Sequence, residues 1–292
     1  MKEDRRVWIW FAPVLLILGL VYLVPVLDVL RLSFSDATLL RPVSGYGLDG
    51  YVSAFAADSL GIIMRNTAVF TVLSVVGLQI VGLAIALLLV RGDRRGLYGM
   101  TVLRTIVLAA WVIPGIANGL IWQMLLSEAP FGAVNSALRM IGIPPVAWLS
   151  DPANAMMSAV IANVWQGSAF SMIVFYAARR AVDPVLYEAA EVDGATPGAK
   201  FAFITLPQMR GAILVNSVLV TIQTLNTFDT ILALTGGGPG RATEVLSLYI
   251  FNTVFYAYDL GGGSALAVVL LGLSMALTLI YLAILVRRRG PA

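Results

Sequence analysis

The stretch "LYEAAEVDGATPGAKFAFITLP", from Leu186 to Pro207, is a polar segment inside a chain that is otherwise strongly apolar. Of the 292 residues, 59% are hydrophobic and only 12% are charged, whereas a soluble domain carries about 25% charged residues. A composition of this kind is typical of a protein that lies in a lipid bilayer. The polar stretch is therefore expected outside the bilayer, where its pattern indicates its role.

The pattern of this stretch predicts two short helices that protrude from the membrane. The pair Asp183–Pro184 suits the N-cap and the first turn of a helix. Gly194 is placed to end that helix in a left-handed conformation. Thr196–Pro197 repeats the start signal, and Pro207 marks a bend into the next apolar run. Residues 183–207 are therefore expected to form one loop that acts as a single functional unit.

The first of these helices has a small apolar face and an acidic rim. Val185, Ala189 and Val192 recur at helical spacing, and the acidic residues around them are Glu188, Glu191 and Asp193. A narrow face of this kind fits a groove on another protein. A solvated amphipathic loop would show the same pattern, so the residues alone leave both interpretations open.

Six apolar runs are long enough to cross the hydrocarbon core, which takes roughly 20 helical residues. They are Trp8–Leu27, Asn66–Val90, Thr101–Leu126, Ala155–Ala178, Gly211–Ala233 and Ser264–Val286. A seventh run, Val245–Tyr258, is too short and fits an interfacial or re-entrant helix, with "TGGGPG" and "LGGGS" on either side expected to turn the backbone sharply. We therefore predict an all-α membrane protein in which residues 1–292 form one transmembrane domain with six helices.

The basic residues set the expected orientation. If the N-terminus is cytoplasmic, 14 of the 19 Lys and Arg residues fall in cytoplasmic segments: Lys2, Arg5, Arg6, Arg91, Arg94, Arg95, Arg104, Arg179, Arg180, Lys200, Arg210, Arg287, Arg288 and Arg289. This bias is what the positive-inside rule predicts for six spans with both termini inside. It also explains the basic net charge without a nucleic-acid partner.

Several classes of function are disfavoured by residues that the chain lacks. The sequence contains no Cys and no His, which removes thiol chemistry and the commonest general base and metal ligand. The glycine-rich "GGGPG" lacks the Lys-Ser/Thr pair that holds nucleotide phosphates in a P-loop. We expect a transport protein rather than an enzyme, with no catalytic residues, no metal and no cofactor bound by this chain.

The polar stretch resembles the EAA loop of permease subunits in binding-protein-dependent ABC importers. The matching residues are Glu188, Ala189, Ala190, Gly194, Ile204, Leu206 and Pro207. Two further blocks are similar to carbohydrate importers of the maltose permease type, namely "LTGGGPGRATEVLSLYIFNTVF" from Leu234 to Phe255 and "FGAVNSALRMIG" after the third run. Gly211 departs from the family pattern, which usually has a second proline there.

The resemblance implies a type I importer permease in a bacterial cytoplasmic membrane. Its expected partners are a second homologous permease, a dimer of ATPase subunits that bind ATP and Mg, an extracytoplasmic solute-binding protein and membrane lipid. The loop would be the coupling helix, which docks on an ATPase. The residues that the resemblance assigns to coupling are Glu188, Ala189, Ala190, Gly194, Leu206 and Pro207.

Polar and aromatic residues within the apolar runs are candidates for holding the solute, because such residues tend to face a bundle interior or a wet cavity. The helical stripes are Asn216, Gln223, Thr227 and Thr230; Asn163, Gln166 and Phe170; and Trp111, Asn118 and Trp122. The stretch "TLNTFDTI", which contains Asn226 and Asp229, resembles the fifth-span region that contacts sugar in maltose-type permeases. Amides and aromatic rings suit a sugar, although the same residues can bind other helices.

The expected function is ATP-driven import of a sugar or a related small polyhydroxylated solute. The alternative is a secondary transporter or channel that acts without ATP. That class needs an intramembrane carboxylate or ion site, and Asp229 is the one acidic residue placed within an apolar run, near its outer end and away from the Gln223 stripe on an ideal helix. Apart from Arg104, near the start of the third run, the runs also lack the basic residues that a phosphorylated solute would favour.

Overall fold

The computed structural model describes the backbone of residues 4–287 and the side chains of residues 10–284. Lys2, Arg288 and Arg289, which enter the orientation argument, lie outside the described residues. The helices are α1 Asp4–Leu18, α2 Val24–Leu32, α3 Asp49–Ala56, α4 Leu60–Arg94, α5 Met100–Val112, α6 Gly115–Leu125, α7 Ala133–Met140, α8 Pro152–Arg180, α9 Pro184–Val192, α10 Pro197–Lys200, α11 Leu206–Leu225, α12 Asp229–Thr235, α13 Leu246–Phe255 and α14 Leu260–Arg287. Two π-helical turns, Gly19–Leu23 and Phe201–Thr205, join α1 to α2 and α10 to α11.

The described residues contain five helices that are long and apolar enough to cross a membrane. These are Trp10–Leu32, Leu60–Arg94, Pro152–Arg180, Pro197–Leu225 and Leu260–Ile284. A sixth span is obtained if α5 and α6 count as one broken helix, since they meet at an angle of 106°. The all-α class predicted from composition is confirmed.

The third apolar run, Thr101–Leu126, is not one continuous helix. It divides at Ile113 and Pro114, where the backbone is extended (ψ 127° and 145°). A proline disfavours helical geometry in the residue before it and lacks an N–H for the preceding turn. Pro114 was therefore the sequence signal for this break, and run length alone did not reveal it.

The fifth apolar run, Gly211–Ala233, also differs from the expected span. The helix begins earlier, at Pro197, and ends at Leu225; residues 226–228 are non-helical before α12 starts at Asp229. Pro207 does not end a helix: the chain stays helical through it, and the π-helical turn lies just before it. A proline inside a helix clashes with the carbonyl of the residue four positions earlier. For Pro207 that residue is Phe203, which lies in the π-helical turn, where the helix is wider.

The chain divides into two compact units, the first made of residues up to Gly61 together with Tyr249–Leu273. In this unit the glycines of "LGGGS" are buried in the first turn of α14 rather than in a sharp turn, which corrects the expectation. The backbone N–H of Gly261 donates to Ala37 O at 2.9 Å, and a side chain at Gly261 would overlap the carbonyl of Ser35. Glycine is therefore required at these positions because it is small enough for close packing, and not because the backbone turns there.

The glycine-rich segment before α13 does turn, as predicted. Gly236, Gly237 and Gly240 have φ values of 62°, 92° and 53°, which L-residues with side chains rarely adopt. The short helix expected over Val245–Tyr258 is α13, Leu246–Phe255.

The second unit contains Ile62–Leu248 and the chain from Ser274 onward, and within it α4 packs against α8 through small residues. A Cβ at Gly77 would lie 2.6 Å from Val164 Cγ2, and one at Gly167 would lie 2.8 Å from Leu78 Cδ2. A side chain at Gly82 would overlap Ser171. Close backbone approach of this kind drives helix association in lipid, where apolar burial gives little advantage.

The loop between α6 and α8 is held by two polar side chains of the second unit. Asn135 is fully buried; its amide donates to Val146 O at 3.0 Å and its Oδ1 accepts from Val146 N at 2.9 Å. The Glu128 carboxylate accepts hydrogen bonds from the hydroxyl and N–H of Ser150 and from Leu149 N, which lower the pKa of Glu128. The segment "FGAVNSALRMIG", which contains α7, is thus a folded element.

We predict that Gly82→Ala destabilises the protein, since its methyl group overlaps Ser171 and lies 3.0 Å from the backbone N of Met172. Overpacking of this kind costs about 1–3 kcal/mol. Gly272→Ala is the matched control, because its Cβ would meet open space on α14. Thermal unfolding in detergent should show a lower midpoint for Gly82→Ala alone; equal midpoints for the two variants would contradict the packing described.

Candidate coupling helix and solute pathway

The helix α9 begins and ends at the residues that its sequence specifies. Asp183 is the N-cap, and its Oδ1 accepts from Val185 N at 2.9 Å. Gly194 has φ +72° and ends the helix in the left-handed conformation, with Ala195 N donating to Ala190 O at 2.8 Å. Thr196 caps α10 by accepting from Ala199 N at 3.3 Å. The predicted caps are confirmed.

The second predicted helix is not separate, because α10 is the first turn of the long helix Pro197–Leu225. Lys200 on this turn forms an ion pair with Glu191 on α9, with Nζ and Oε1 2.7 Å apart. The hydrogen bond and charge of Lys200 lower the pKa of the Glu191 carboxyl. The ion pair joins α9 to the start of the helix that follows it.

Tyr187 anchors α9 to the membrane-spanning helices. It is the buried residue of α9, and its hydroxyl lies 2.9 Å from Thr205 Oγ1. The guanidinium of Arg179 lies 4.0 Å from the centre of its ring, and the ring belongs to one buried cluster with Leu89 of α4, Phe175 of α8 and Met209 of α11. Sequence reasoning missed Tyr187, although an aromatic residue on the face opposite Ala189 was a usable signal.

The other face of α9 is open. Val185 and Val192 are 61% and 89% exposed, and Ala189 and Glu188 are exposed as well. Ala190 and Leu206 are half-buried, while Gly194 and Pro207 are exposed. The predicted docking face therefore lies where a second protein could contact it.

The break between α5 and α6 is held by polar groups from two other helices. Gln166 of α8 donates from Nε2 to the carbonyl of Ile113, with N and O 2.5 Å apart. Thr230 of α12 donates from Oγ1 to Gly115 O at 3.2 Å. Non-helical backbone at membrane depth requires such partners or a wet cavity, so these side chains explain why the break is tolerated.

The predicted residues of the third and fourth runs meet in a buried network. Asn118 is fully buried and donates from Nδ2 to Gln166 Oε1 at 3.0 Å. The rings of Trp122 and Trp165 meet edge to face with centroids 6.0 Å apart. Asn118 Oδ1, Trp122 Nε1 and Asn163 Nδ2 are buried without a hydrogen-bond partner among the described residues. The network joins α6 to α8, and these three polar atoms remain available for further hydrogen bonds.

The predicted residues of the fifth run differ in exposure. Asn216 is fully buried, and its amide donates to Gln79 Oε1 and Ser171 Oγ, both at 3.0 Å. Gln223 and Asn226 are exposed, and Thr227 is half-buried. The amide of Asn226 donates to Ile222 O at 2.8 Å, and Thr227 Oγ1 donates to Gln223 O at 3.0 Å. The side chains expected to share one helical stripe therefore differ: Asn216 binds neighbouring helices, whereas Gln223 is exposed.

Asp229 does not have the position that an ideal helix gives it, because the helix is interrupted before it. It begins α12, and its Oδ1 accepts from Thr230 N at 2.9 Å. A Cβ at Gly115 would overlap the Asp229 carboxylate, which would have to move to make room for it. Gly119, one turn further along α6, would place a Cβ 2.6 Å from Ala233. Asp229 therefore marks the contact of α12 with the first turn of α6.

These features define a membrane-embedded protein in which a short helix outside the spans, α9, has one open face. Residues 80–290 match the family model described as "Binding-protein-dependent transport system inner membrane component". The chain belongs to this family. It is the permease subunit of an ABC importer, in which a partner subunit hydrolyses ATP, and the ATP-independent alternative has no support.

Two relatives cover almost the whole chain. It is 34% identical, over 96% of its length and 94% of the relative's, to the "Trehalose/maltose transport system permease protein MalF" of Thermococcus litoralis. It is 33% identical to the "Sulfoquinovosyl glycerol transport system permease protein SmoG" of Agrobacterium fabrum, with 94% and 88% covered.

The fold is similar to that of a permease chain in a solved importer. A crystal structure of a bacterial alginate ABC transporter in complex with alginate pentasaccharide-bound periplasmic protein matches with a TM-score of 0.81 and 25% identity, over 96% of this chain and 94% of that chain. A further crystal structure of an alginate importer gives a TM-score of 0.82 at 23% identity, with 99% of both chains covered. The type I importer permease fold is confirmed.

We predict that Tyr187→Ala loosens α9, because it removes the hydrogen bond to Thr205 and the ring that packs among three spans. Loss of a buried aromatic ring costs about 3–5 kcal/mol, and here the loss falls mainly on one short helix. Hydrogen exchange at the amides of residues 188–192 should become faster, while Tyr98→Ala, at a fully exposed tyrosine, should leave it unchanged. Wild-type protection in Tyr187→Ala would contradict the anchoring role.

Proposed function

We propose that this permease carries a sugar or a related small polyhydroxylated solute into the cytoplasm. The observation that carries the proposal is the pair of exposed amides, Gln223 and Asn226, beside the break in the fifth span. Amides match sugar hydroxyls, since each offers both donors and an acceptor. The relatives named for trehalose/maltose and for sulfoquinovosyl glycerol support this class of solute.

The exposed amides favour a wet pathway over a lipid contact. A polar side chain on a spanning helix is costly in hydrocarbon and is normally turned toward protein or water. Broken helices of transporters line their substrate sites for the same reason. We place Gln223, Asn226 and Thr227 at the solute path, with Asp229 at its edge. Asn118, Trp122, Asn163 and Gln166 would form the supporting layer, in which the unused polar atoms of Asn118, Trp122 and Asn163 would reach the solute during transport.

The partners follow from the permease assignment. A second homologous permease would form the other half of the pathway, and a solute-binding protein would deliver the sugar, as a periplasmic protein accompanies the alginate importer. Two ATPase subunits would bind ATP and Mg, so that this chain needs no cofactor. The chain would lie in a bacterial cytoplasmic membrane with both termini inside, the orientation that its basic residues favour.

The coupling helix would carry motion from the ATPases to the pathway. Its exposed face, around Ala189 and Glu188, would sit in a cleft of one ATPase. Its buried face is fixed by Tyr187 to α4, α8 and α11. Closure of the ATPases would therefore move these helices together with α9, and the breaks at Ile113 and Asn226 would allow the outer segments to follow separately.

We predict that Ala189→Trp and Gly194→Val weaken the contact with the ATPase. A bulky residue overfills a close-packed groove, and a side chain at a left-handed position costs on the order of 1 kcal/mol. The amount of ATPase that co-purifies with the permease should drop about tenfold or more, equivalent to ~1.4 kcal/mol of binding free energy. Otherwise, ATP hydrolysis stimulated by the binding protein should continue without solute uptake.

Gly198→Val is the matched control for this contact, since Gly198 has open space and no left-handed φ. It should behave as wild type in both assays. If Ala189→Trp and Gly194→Val also behave as wild type, the loop is only a solvated segment.

We also predict that Gln223→Ala and Asn226→Ala reduce uptake or change the range of sugars accepted. Each removes hydrogen bonds to the solute, worth about 0.5–1.5 kcal/mol apiece, or roughly 2- to 12-fold. Gln208→Ala, at an exposed amide in the first turns of α11, is the control and should retain wild-type uptake. Unchanged rates and selectivity in both test variants, at equal expression, would remove these residues from the path.

A further inference from the structure

A cavity of about 500 Å³ lies beside the coupling helix, between the ends of α4 and α8 and the first turns of the helix that follows α9. One wall is apolar and consists of α4 residues, namely Ala84, Leu87, Leu88 and Val90. The other end is basic and is lined by Arg91, Arg94, Arg179 and Lys200. The cavity thus changes from hydrocarbon-like to cationic along its length.

The charges in this cavity are not balanced. Glu191 is the one carboxylate in its lining, and it is already paired with Lys200. Among the described residues, no carboxylate lies within ion-pair distance of Arg91, Arg94 or Arg179. Three guanidinium groups therefore share one site without a counter-charge.

Arg179 makes this imbalance costly. Its side chain is only 8% exposed, and its buried Nη1 has no hydrogen-bond partner in the described part of the chain. The Tyr187 ring below it offsets part of the lost hydration. Arg94 lies 5.8 Å from the same ring and adds a second positive charge. A buried cation of this kind calls for an anion nearby.

We infer that the cavity binds the phosphate of an anionic phospholipid, with an acyl chain along the α4 wall. The apolar wall favours a lipid over a free phosphate, since a free anion would make no use of it. Leu88, in that wall, is 54% exposed and lies where the apolar part of α4 meets Arg91. Basic pockets between spanning helices on the cytoplasmic side are where such headgroups bind. The site is independent of the solute carried.

The test uses the assembled importer in nanodiscs of phosphatidylcholine, with and without phosphatidylglycerol. Native mass spectrometry would count the phosphatidylglycerol that stays bound to wild type, to Arg91→Gln/Arg94→Gln and to Arg95→Gln. Arg95 belongs to the same basic run but does not line the cavity, so it is the matched control. Each lost charge should weaken binding about fivefold, so the double variant should bind roughly 25-fold more weakly and the control as wild type.

A second arm adds inorganic phosphate to the importer in phosphatidylcholine alone and follows thermal stability. No stabilisation by phosphate, together with stabilisation by phosphatidylglycerol that the double variant loses, is the expected result. Equal phosphatidylglycerol binding in wild type and double variant would overturn the proposal. Stabilisation by inorganic phosphate that depends on Arg91 and Arg94 would also overturn the proposal, because the ligand of the cavity would then be a free anion. Loss of the ATPase subunits in the double variant alone would assign the arginines to the protein interface and also overturn it.

Discussion

The proposed coupling between the ATPases and the membrane-spanning helices depends on the packing of the Tyr187 ring against those helices. A nine-residue helix outside the bilayer cannot hold its position by its own hydrogen bonds, because helices this short are marginal in water. Tyr187 supplies what α9 lacks, through its hydrogen bond to Thr205, its stacking against Arg179 and its packing with Leu89 and Phe175. The ring leaves the opposite face of α9 free. A force applied to that face therefore reaches α4, α8 and α11 through a packed contact and not through a flexible loop.

The second constraint is the cost of unpaired backbone groups in a membrane. The spans are interrupted before Gly115 and after Leu225, and each interruption frees carbonyls that hydrocarbon cannot satisfy. Gln166 binds the freed carbonyl of Ile113 at the first break, while Thr230 binds Gly115 O and Asp229 packs on Gly115, where α6 begins. The polar residues at these breaks thus have a structural role beside the one proposed in transport. Exposure separates them, since Gln223 and Asn226 remain accessible whereas Asn118 and Asn216 do not.

The parts of the fold that could be predicted are those that depend on local signals. The caps at Asp183 and Thr196 and the left-handed Gly194 follow from side-chain chemistry within a few residues, and all three are present. Features that depend on distant packing were missed. Run length cannot distinguish a straight span from the broken α5–α6 pair, and nothing local indicates that Gly261 is small to fit against Ser35.

The candidate site shows the same division. Periodicity located the open face of α9 and, in the fifth run, Asn216 and Gln223, whereas Asn226 was assigned from the family resemblance. It assumed, however, that the helix containing Gln223 continues through Asp229, so the common stripe that it predicted is interrupted at Asn226. The burial of Tyr187 depends on Thr205 and Arg179, which lie 18 and eight residues away in the sequence and on different helices. Such contacts become visible only in the folded chain.

We propose that α9 moves as one rigid part with the spans to which Tyr187 attaches it. The chain has no native cysteine, so spin labels can be placed singly at Leu186, an exposed residue at the side of α9, and at Ala153, an exposed residue at the far end of the 29-residue α8. Such a helix is about 43 Å long, which suits pulsed electron resonance. In the assembled importer, the account predicts the same narrow distance distribution in the nucleotide-free and ATP-trapped states. A mean distance that shifts between the two states by more than the width of that distribution would contradict it.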